Sequence, residues 1–170
     1  SEWRVRAGLR GRLVRNGNSR LLPHMSGFYT CPRDLARIGM LLLSRGVWRG
    51  KQIVSQAWID ALSQPCRLNP AYGYLWWLNG QRSMVRVDTD YSHAPASTPR
   101  GMLPSAPRDT VIAIGTGGQK LFVSPQTGLV VSCITGKFID TSDDNRLWTC
   151  LMEACPEALR GATGLSGDRP

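Results

Sequence analysis

The sequence has few of the residues that bind metals and no segment that resembles a membrane helix. Only two histidines occur in 170 residues, and the five cysteines form no C-x-x-C pair. These spacings do not match the usual zinc motifs. The apolar run Met40–Leu43 is far shorter than the ~20 residues that cross a bilayer. We therefore expect no metal, no cofactor and no membrane span, and we interpret the cysteines as structural thiols.

The composition is that of a globular domain with excess positive charge. A hydrophobic content of 42% in 170 residues is enough for one core. The net charge is +9, and residues 1–20 supply +5 of it, from six arginines and one glutamate. A basic patch can bind nucleic acid or another polyanion. A small basic binding module is therefore the alternative function, although no nucleic-acid-binding motif is present and we do not expect nucleic acid as a partner.

The clearest predicted helix extends from about Pro32 to Arg45. Thr30 or Cys31 can cap it, and Pro32 suits its first turn. Gly46 is expected to end it. Apolar residues recur at helical spacing and predict a buried stripe. The stripe consists of Leu35, Ile38, Leu41 and Leu42.

Two further helices and a tail are predicted. Ser55 opens a short second helix, and the third begins near Thr141. Pro156 is expected to end the third helix near Cys155, because proline cannot continue the hydrogen-bond ladder. We expect residues 161–170 to be disordered, which leaves residues 1–160 as the domain.

Strand signals occur near the start and in the middle of the chain. Residues 3–22 predict a hairpin that turns at Asn16-Gly17. Residues 71–79 predict a strand with Tyr72, Tyr74 and Trp76 on one face. Residues 80–108 are polar and rich in proline, and they predict a long connection without secondary structure.

The strongest β signal combines two apolar runs with a cluster of glycines. Val111–Pro125 and Leu129–Ile134 predict a buried antiparallel hairpin. Gly115, Gly117 and Gly118 lie within the first run. Glycine inside a strand often marks a bulge or a close approach to the backbone. We therefore interpret this cluster as the edge of a site.

Four segments resemble, in the same order, the β-lactamase-related serine hydrolases, which include class C β-lactamases, penicillin-binding proteins and esterase-like relatives. The likeness covers roughly residues 3–136 and only the C-terminal part of the family domain. It implies an α/β fold of the α+β type, in which an antiparallel sheet is flanked by helices, as a partial β-lactamase/transpeptidase-like fold. The segments are Asp34–Leu43, Gly46–Ser55, Tyr72–Trp77 and Gly115–Pro125.

The resemblance also implies partners. A complete bacterial protein of this family would act on a small-molecule amide or ester, in the periplasm or the cytoplasm. The N-terminal part of the domain would be needed to complete the fold. Without it, we expect an exposed sheet edge and self-association of the isolated chain.

Two motifs of the family are absent from this sequence. The family uses Ser-x-x-Lys and Tyr-x-Asn (or Ser-x-Asn) motifs. None of the three lysines follows a serine at the required spacing, and no tyrosine is followed two residues later by asparagine. Because the nucleophile and its base are missing, we expect this chain to be inactive alone.

A third motif is present in altered form. Thr116-Gly117-Gly118 matches the family's Lys/His-x-Gly motif, with threonine at the basic position. The resemblance implies that Gly115, Thr116, Gly117 and Gly118 bind substrate. It also implies that the backbone N–H of Gln119 is one donor of an oxyanion hole, with the second donor on the missing nucleophile.

Overall fold

The computed structural model describes residues 11–15, 26–87, 93–115, 118–134 and 141–155, which form three helices and ten strands. The predicted tail at 161–170 lies outside the described residues. The helices are α1 (Pro32–Leu43), α2 (Gln56–Leu62) and α3 (Thr141–Ala154). The strands are β1 (Gly11–Arg15), β2 (Ser26–Thr30), β3 (Val47–Trp48), β4 (Lys51–Gln52), β5 (Trp77–Leu78), β6 (Ser83–Val87), β7 (His93–Ser97), β8 (Val111–Gly115), β9 (Gln119–Ser124) and β10 (Leu129–Ile134).

The central sheet has four antiparallel strands in the order β10-β9-β8-β5. The predicted pairing of the two apolar runs is confirmed, because Phe122 on β9 faces Val131 on β10. The interpretation of the first run as one strand was wrong. Gly115 ends β8, Gly118 has a φ of 83°, and the Gly118 N–H donates to the Gly115 carbonyl at 3.1 Å. The chain therefore reverses direction between Gly115 and Gln119, and β8 and β9 are separate antiparallel strands.

Helices cover both faces of this sheet. Leu121 and Val123 of β9 pack against the α1 side chains Leu35, Ile38 and Leu42. On the opposite face, Phe122 and Ile112 pack against Trp148 of α3, and the Phe122 and Trp148 rings meet edge to face at 6.0 Å. Alternation along β9 sends successive side chains to opposite faces. The predicted fold class, an antiparallel sheet flanked by helices, is confirmed.

The predicted helices are present with small changes at their ends. Helix α1 has Pro32 in its first turn and an extended Cys31 as N-cap, which makes no side-chain capping bond. Its C-terminal end is closed by the Gly46 N–H, which donates to the Leu41 carbonyl at 2.8 Å. Ser55 caps α2 by accepting the Trp58 N–H at 3.2 Å. Helix α3 ends at Ala154, as the position of Pro156 in the sequence predicts.

The predicted strand over residues 71–79 was wrong for most of its length. The Gly73 N–H donates to the Trp76 carbonyl at 2.8 Å, and Leu75 has a φ of 65°. The chain therefore reverses direction here, and only Trp77–Leu78 pairs with β8. Tyr74 is exposed while Trp76 is buried, so the predicted aromatic face does not form.

The connection over residues 80–108 contains secondary structure that the sequence did not predict. Strands β6 and β7 form an antiparallel hairpin in which Pro95 faces Val85. The following segment is organised by Asn79, which is fully buried. Its side chain accepts the Leu103 N–H at 2.7 Å and donates to the carbonyls of Leu103, Ala106 and Pro107 at 3.0–3.3 Å.

The predicted N-terminal hairpin over residues 3–22 was wrong in its second strand. Strand β1 pairs with β2, and Arg15 faces Ser26, so the return strand is Ser26–Thr30 and lies beyond the predicted range. The predicted turn at Asn16-Gly17 and the first ten residues, with most of the basic cluster, are not described. The polyanion-binding alternative therefore stays a prediction.

Candidate functional site

A cavity of about 280 Å³ lies beside the end of β8, between the sheet and the start of α1. Its volume is near the lower limit of ligand pockets, about 300 Å³, so it fits a small group or one side of a larger ligand. The described residues that line it come from β2, α1 and the three long strands. They are Thr30, Cys31, Pro32, Leu35, Ala113, Ile114, Gly115, Gln119, Lys120, Leu121 and Ile134.

The alternation of the strands explains which side chains reach this cavity. Ala113 on β8 and Leu121 on β9 belong to the sheet face that packs against α1. Gln119 is two residues before Leu121 and therefore faces the same side. Helix α1 begins directly above these positions, at Pro32. The first turn of α1 and the β8–β9 hairpin thus form opposite walls.

Of the predicted site residues, the structure brings Gly115 and Gln119 together at the cavity. The two face each other across β8 and β9. A Cβ added to Gly115 would lie 3.0 Å from Oε1 of Gln119, so the Gln119 side chain covers the glycine. Gly118 is buried in the turn and does not line the cavity. Thr116 and Gly117 lie outside the described residues.

The backbone of Gln119 is in the interior of the sheet. It is paired with Gly115 on one side and with Ile134 on the other. Among the described strands, the edge beside the cavity belongs to β8, because β5 pairs with Val111 and Ile112 and β8 continues beyond it. Ala113 and Ile114 were not predicted as site residues, because the glycine cluster itself was interpreted as the site edge. The signal that could have found them is Gly115 as a strand end.

Lys120 contributes backbone to the cavity wall while its charge lies on the opposite face of the sheet. Its Nζ atom is 2.8 Å from Oδ1 and 2.7 Å from Oδ2 of Asp144 on α3. The two side chains are only 2% and 5% exposed. Lys120 is the one charged residue among the described residues that line the cavity. The described lining therefore presents no free charge to the cavity and is largely apolar.

The same ion pair influences a neighbouring thiol. Cys133 on β10 faces Lys120 across the strands. Burial raises the pKa of the Cys133 thiol, the Asp144 carboxylate raises it further, and the Lys120 ammonium lowers it. Burial also raises the pKa of Tyr72, whose ring meets Trp77 edge to face at 4.9 Å. Neither group lines the cavity.

In the part of the chain that the structure describes, no group of three histidine, cysteine or acidic side chains is arranged to hold a metal ion. None of the described helices combines the length and apolarity that crossing a membrane requires. The described cavity lining includes a hydroxyl at Thr30 and a thiol at Cys31 but no serine.

The antiparallel sheet between helices is similar in fold to a solved hydrolase structure. A solved structure, described as a putative 6-aminohexanoate-dimer hydrolase from Bacillus anthracis, matches with a TM-score of 0.50 and 17% sequence identity. The match covers 78% of this chain and 30% of that one, so the chain spans less than a third of its structural neighbour's length. No protein-family model and no curated protein sequence matches. At this identity the likeness shows the fold alone.

Proposed function

We propose that this chain is the C-terminal, substrate-binding part of a serine hydrolase that cleaves amides or esters. The observation that carries the proposal is the cavity beside Gly115, set in a sheet whose fold is similar to that of a β-lactamase-like hydrolase. The neighbour's description names it as a putative hydrolase of a 6-aminohexanoate dimer. We extend to this chain only its reaction class, hydrolysis of a small-molecule amide or ester.

In this proposal, the end of β8 and the cavity hold the substrate. An extended substrate can lie along a strand edge, where the backbone supplies hydrogen bonds and the cavity accepts one side group. Ala113–Gly115 provide that edge. The altered motif also implied the Gln119 N–H as an oxyanion-hole donor, but Gln119 is paired with Gly115 on one side and Ile134 on the other, so that role is not part of this proposal. An oxyanion-hole donor would come from the backbone of the nucleophile.

Catalysis requires parts that the sequence does not contain. A serine must be activated by a neighbouring base before it can attack a carbonyl. Donors that stabilise the developing oxyanion do not replace it. Since Ser-x-x-Lys and Tyr-x-Asn are both absent from the sequence, we propose that the chain binds substrate and does not hydrolyse it alone. The missing residues would lie in the N-terminal part of a complete domain.

The test combines turnover, labelling and binding on the purified chain. Nitrocefin and a p-nitrophenyl ester should not be hydrolysed, and a fluorophosphonate probe should label no serine. Hexanamide, a small neutral amide, should nevertheless perturb the backbone NMR signals of Ala113, Gly115 and Gln119. Labelling of one serine, abolished by changing that serine alone, would contradict the proposed incompleteness. Perturbations confined to other parts of the chain would contradict the proposed site.

A further inference from the structure

We propose that the cavity beside Gly115 selects the uncharged, aliphatic side of its substrate and that Gln119 sets this selectivity. This inference rests on the proposed function, because it names the substrate class of the same site. It concerns the groups next to the scissile bond and not the cleavage chemistry. It is therefore open to measurement on the chain without a nucleophile.

The distribution of charge around the cavity is the first argument. Lys120 is the only charged residue in the described lining, and its ammonium is bound to both carboxylate oxygens of Asp144 on the far side of the sheet. Asp34, near the start of α1, is 2% exposed and ion-paired with Arg37. A ligand carboxylate or ammonium entering the cavity would therefore lose water without gaining a counter-ion from the described lining. Such burial of an unpaired charge is strongly unfavourable.

The shape and surface of the cavity are the second argument. Most of its wall is aliphatic, and Leu35, Leu121 and Ile134 supply the largest apolar side chains. Each buried CH₂ group contributes about 0.8 kcal/mol. A volume of about 280 Å³ limits the occupant to a short chain. These properties favour an unbranched aliphatic segment over a ring bearing several polar groups.

The third argument is the position of Gln119. Its side chain is exposed at the cavity and covers Gly115, which has no side chain of its own to intervene. A glutamine amide offers two donors and an acceptor, so it can bind either side of an amide or the carbonyl of an ester. It is also the first residue of β9, where a substituted side chain can extend into solvent. Gln119 can therefore be changed with little effect on the core.

The experiment compares three probes of the same length: hexanamide, hexanoate and hexylammonium. In ¹H–¹⁵N titrations, hexanamide should shift the signals of Ala113, Gly115, Gln119 and Leu121. The other two probes should bind at least about tenfold more weakly, because each carries a charge that the cavity leaves unpaired. Gln119→Lys should reverse the order of hexanamide and hexanoate. Gln119→Glu should reverse the order of hexanamide and hexylammonium.

Two further variants serve as controls. Gln126→Lys adds the same charge to the exposed turn between β9 and β10, and it should leave the order of the probes unchanged. Gln119→Met keeps the length of the side chain but has neither a charge nor an amide. It should weaken the binding of hexanamide, and hexanoate should still bind weakly. Equal binding of all three probes to the unmodified chain, or the same order in Gln119→Lys, would overturn the selectivity while leaving the proposed function intact. Absence of hexanamide binding at the cavity would overturn both.

Discussion

The Lys120 ammonium lies 2.7 Å from Oδ2 of Asp144, and this ion pair joins β9 to α3 in a region closed to water. Both oxygens of the carboxylate accept from the same ammonium. A buried ion pair stabilises a fold little compared with an apolar pair, but either charge alone is strongly destabilising. The pair therefore fixes where α3 meets the sheet. It also keeps the lysine charge away from the cavity on the other face.

Lys120→Met should destabilise the protein by about 3–5 kcal/mol, because it leaves the Asp144 carboxylate buried without a partner. The double change Lys120→Met with Asp144→Leu should recover most of that loss. Urea denaturation of the single and double variants measures both values. Lys51→Met, at an exposed position of β4, is the matched control and should change stability little. A single variant as stable as the unmodified chain would contradict the role of the pair.

Asn79→Ala should destabilise the segment from Leu103 to Pro107. It removes four hydrogen bonds from a fully buried side chain, and each buried group left unsatisfied costs about 1–3 kcal/mol. Asn79→Asp should be worse, because a carboxylate would face three carbonyl oxygens. Hydrogen exchange at the Leu103 N–H, together with thermal melts, tests this order. An Asn79→Asp variant more stable than Asn79→Ala would contradict it.

The sequence predicts the elements whose pattern is local. Helix α1 has a proline start and a regular apolar stripe, and the β9–β10 hairpin has two apolar runs around a turn. Both elements were therefore predicted from the sequence. By contrast, the break at Gly115 was missed, because the glycines at 115, 117 and 118 were interpreted as a bulge or a close approach within one strand and not as a turn. The reversal at Leu75 needs a positive φ that leucine rarely adopts, so the residue type at this position does not predict a turn.

The candidate site depends more on tertiary structure. Lys120 and Asp144 are 24 residues apart, and a lysine alternating with apolar residues in a strand normally faces solvent. The candidate cavity lies beside one glycine of the predicted cluster, Gly115. The cavity forms where the start of α1 packs over the end of β8. These two segments are far apart in the sequence. Periodicity does not contain that information, so Ala113 and Ile114 were missed.

Gly39→Ala should destabilise the protein although alanine favours helices. A Cβ at position 39 would lie 2.5 Å from Cγ1 of Val130 and 3.1 Å from Cδ1 of Leu121. Alanine gains about 1 kcal/mol of helix propensity, whereas overpacking a core costs about 1–3 kcal/mol. We expect a net loss and a lower melting temperature. Met40→Ala, at the exposed neighbouring position, is the control and should be nearly neutral. A higher melting temperature for Gly39→Ala would contradict the close packing of α1 on the sheet.

Cys133 should be the slowest to react among Cys31, Cys66, Cys133 and Cys150. All four are free thiols, and the other three are exposed while Cys133 is partly buried. Burial and the Asp144 carboxylate raise the pKa of Cys133, which lowers the fraction of reactive thiolate. Alkylation with iodoacetamide at pH 8, followed by peptide mass spectrometry, measures each rate. In urea the rates should converge. If Cys133 in the folded protein were alkylated as fast as Cys31, this would contradict its burial and its raised pKa.

The same thiol predicts how stability depends on pH in the alkaline range. Because its pKa is raised in the folded protein, the folded state keeps the Cys133 proton at pH values where the unfolded chain releases it. This stabilisation is complete below the unfolded-state pKa and is lost as the pH rises through the folded-state value. Cys133→Ala should therefore lose less stability than the unmodified chain between neutral and alkaline pH, whatever its stability at neutral pH. Urea denaturation across that range measures the slope of the unfolding free energy against pH.

Cys66→Ala, at an exposed position, is the control and should keep the slope of the unmodified chain. Identical slopes for Cys133→Ala and the unmodified chain would show that Asp144 and burial do not perturb this thiol.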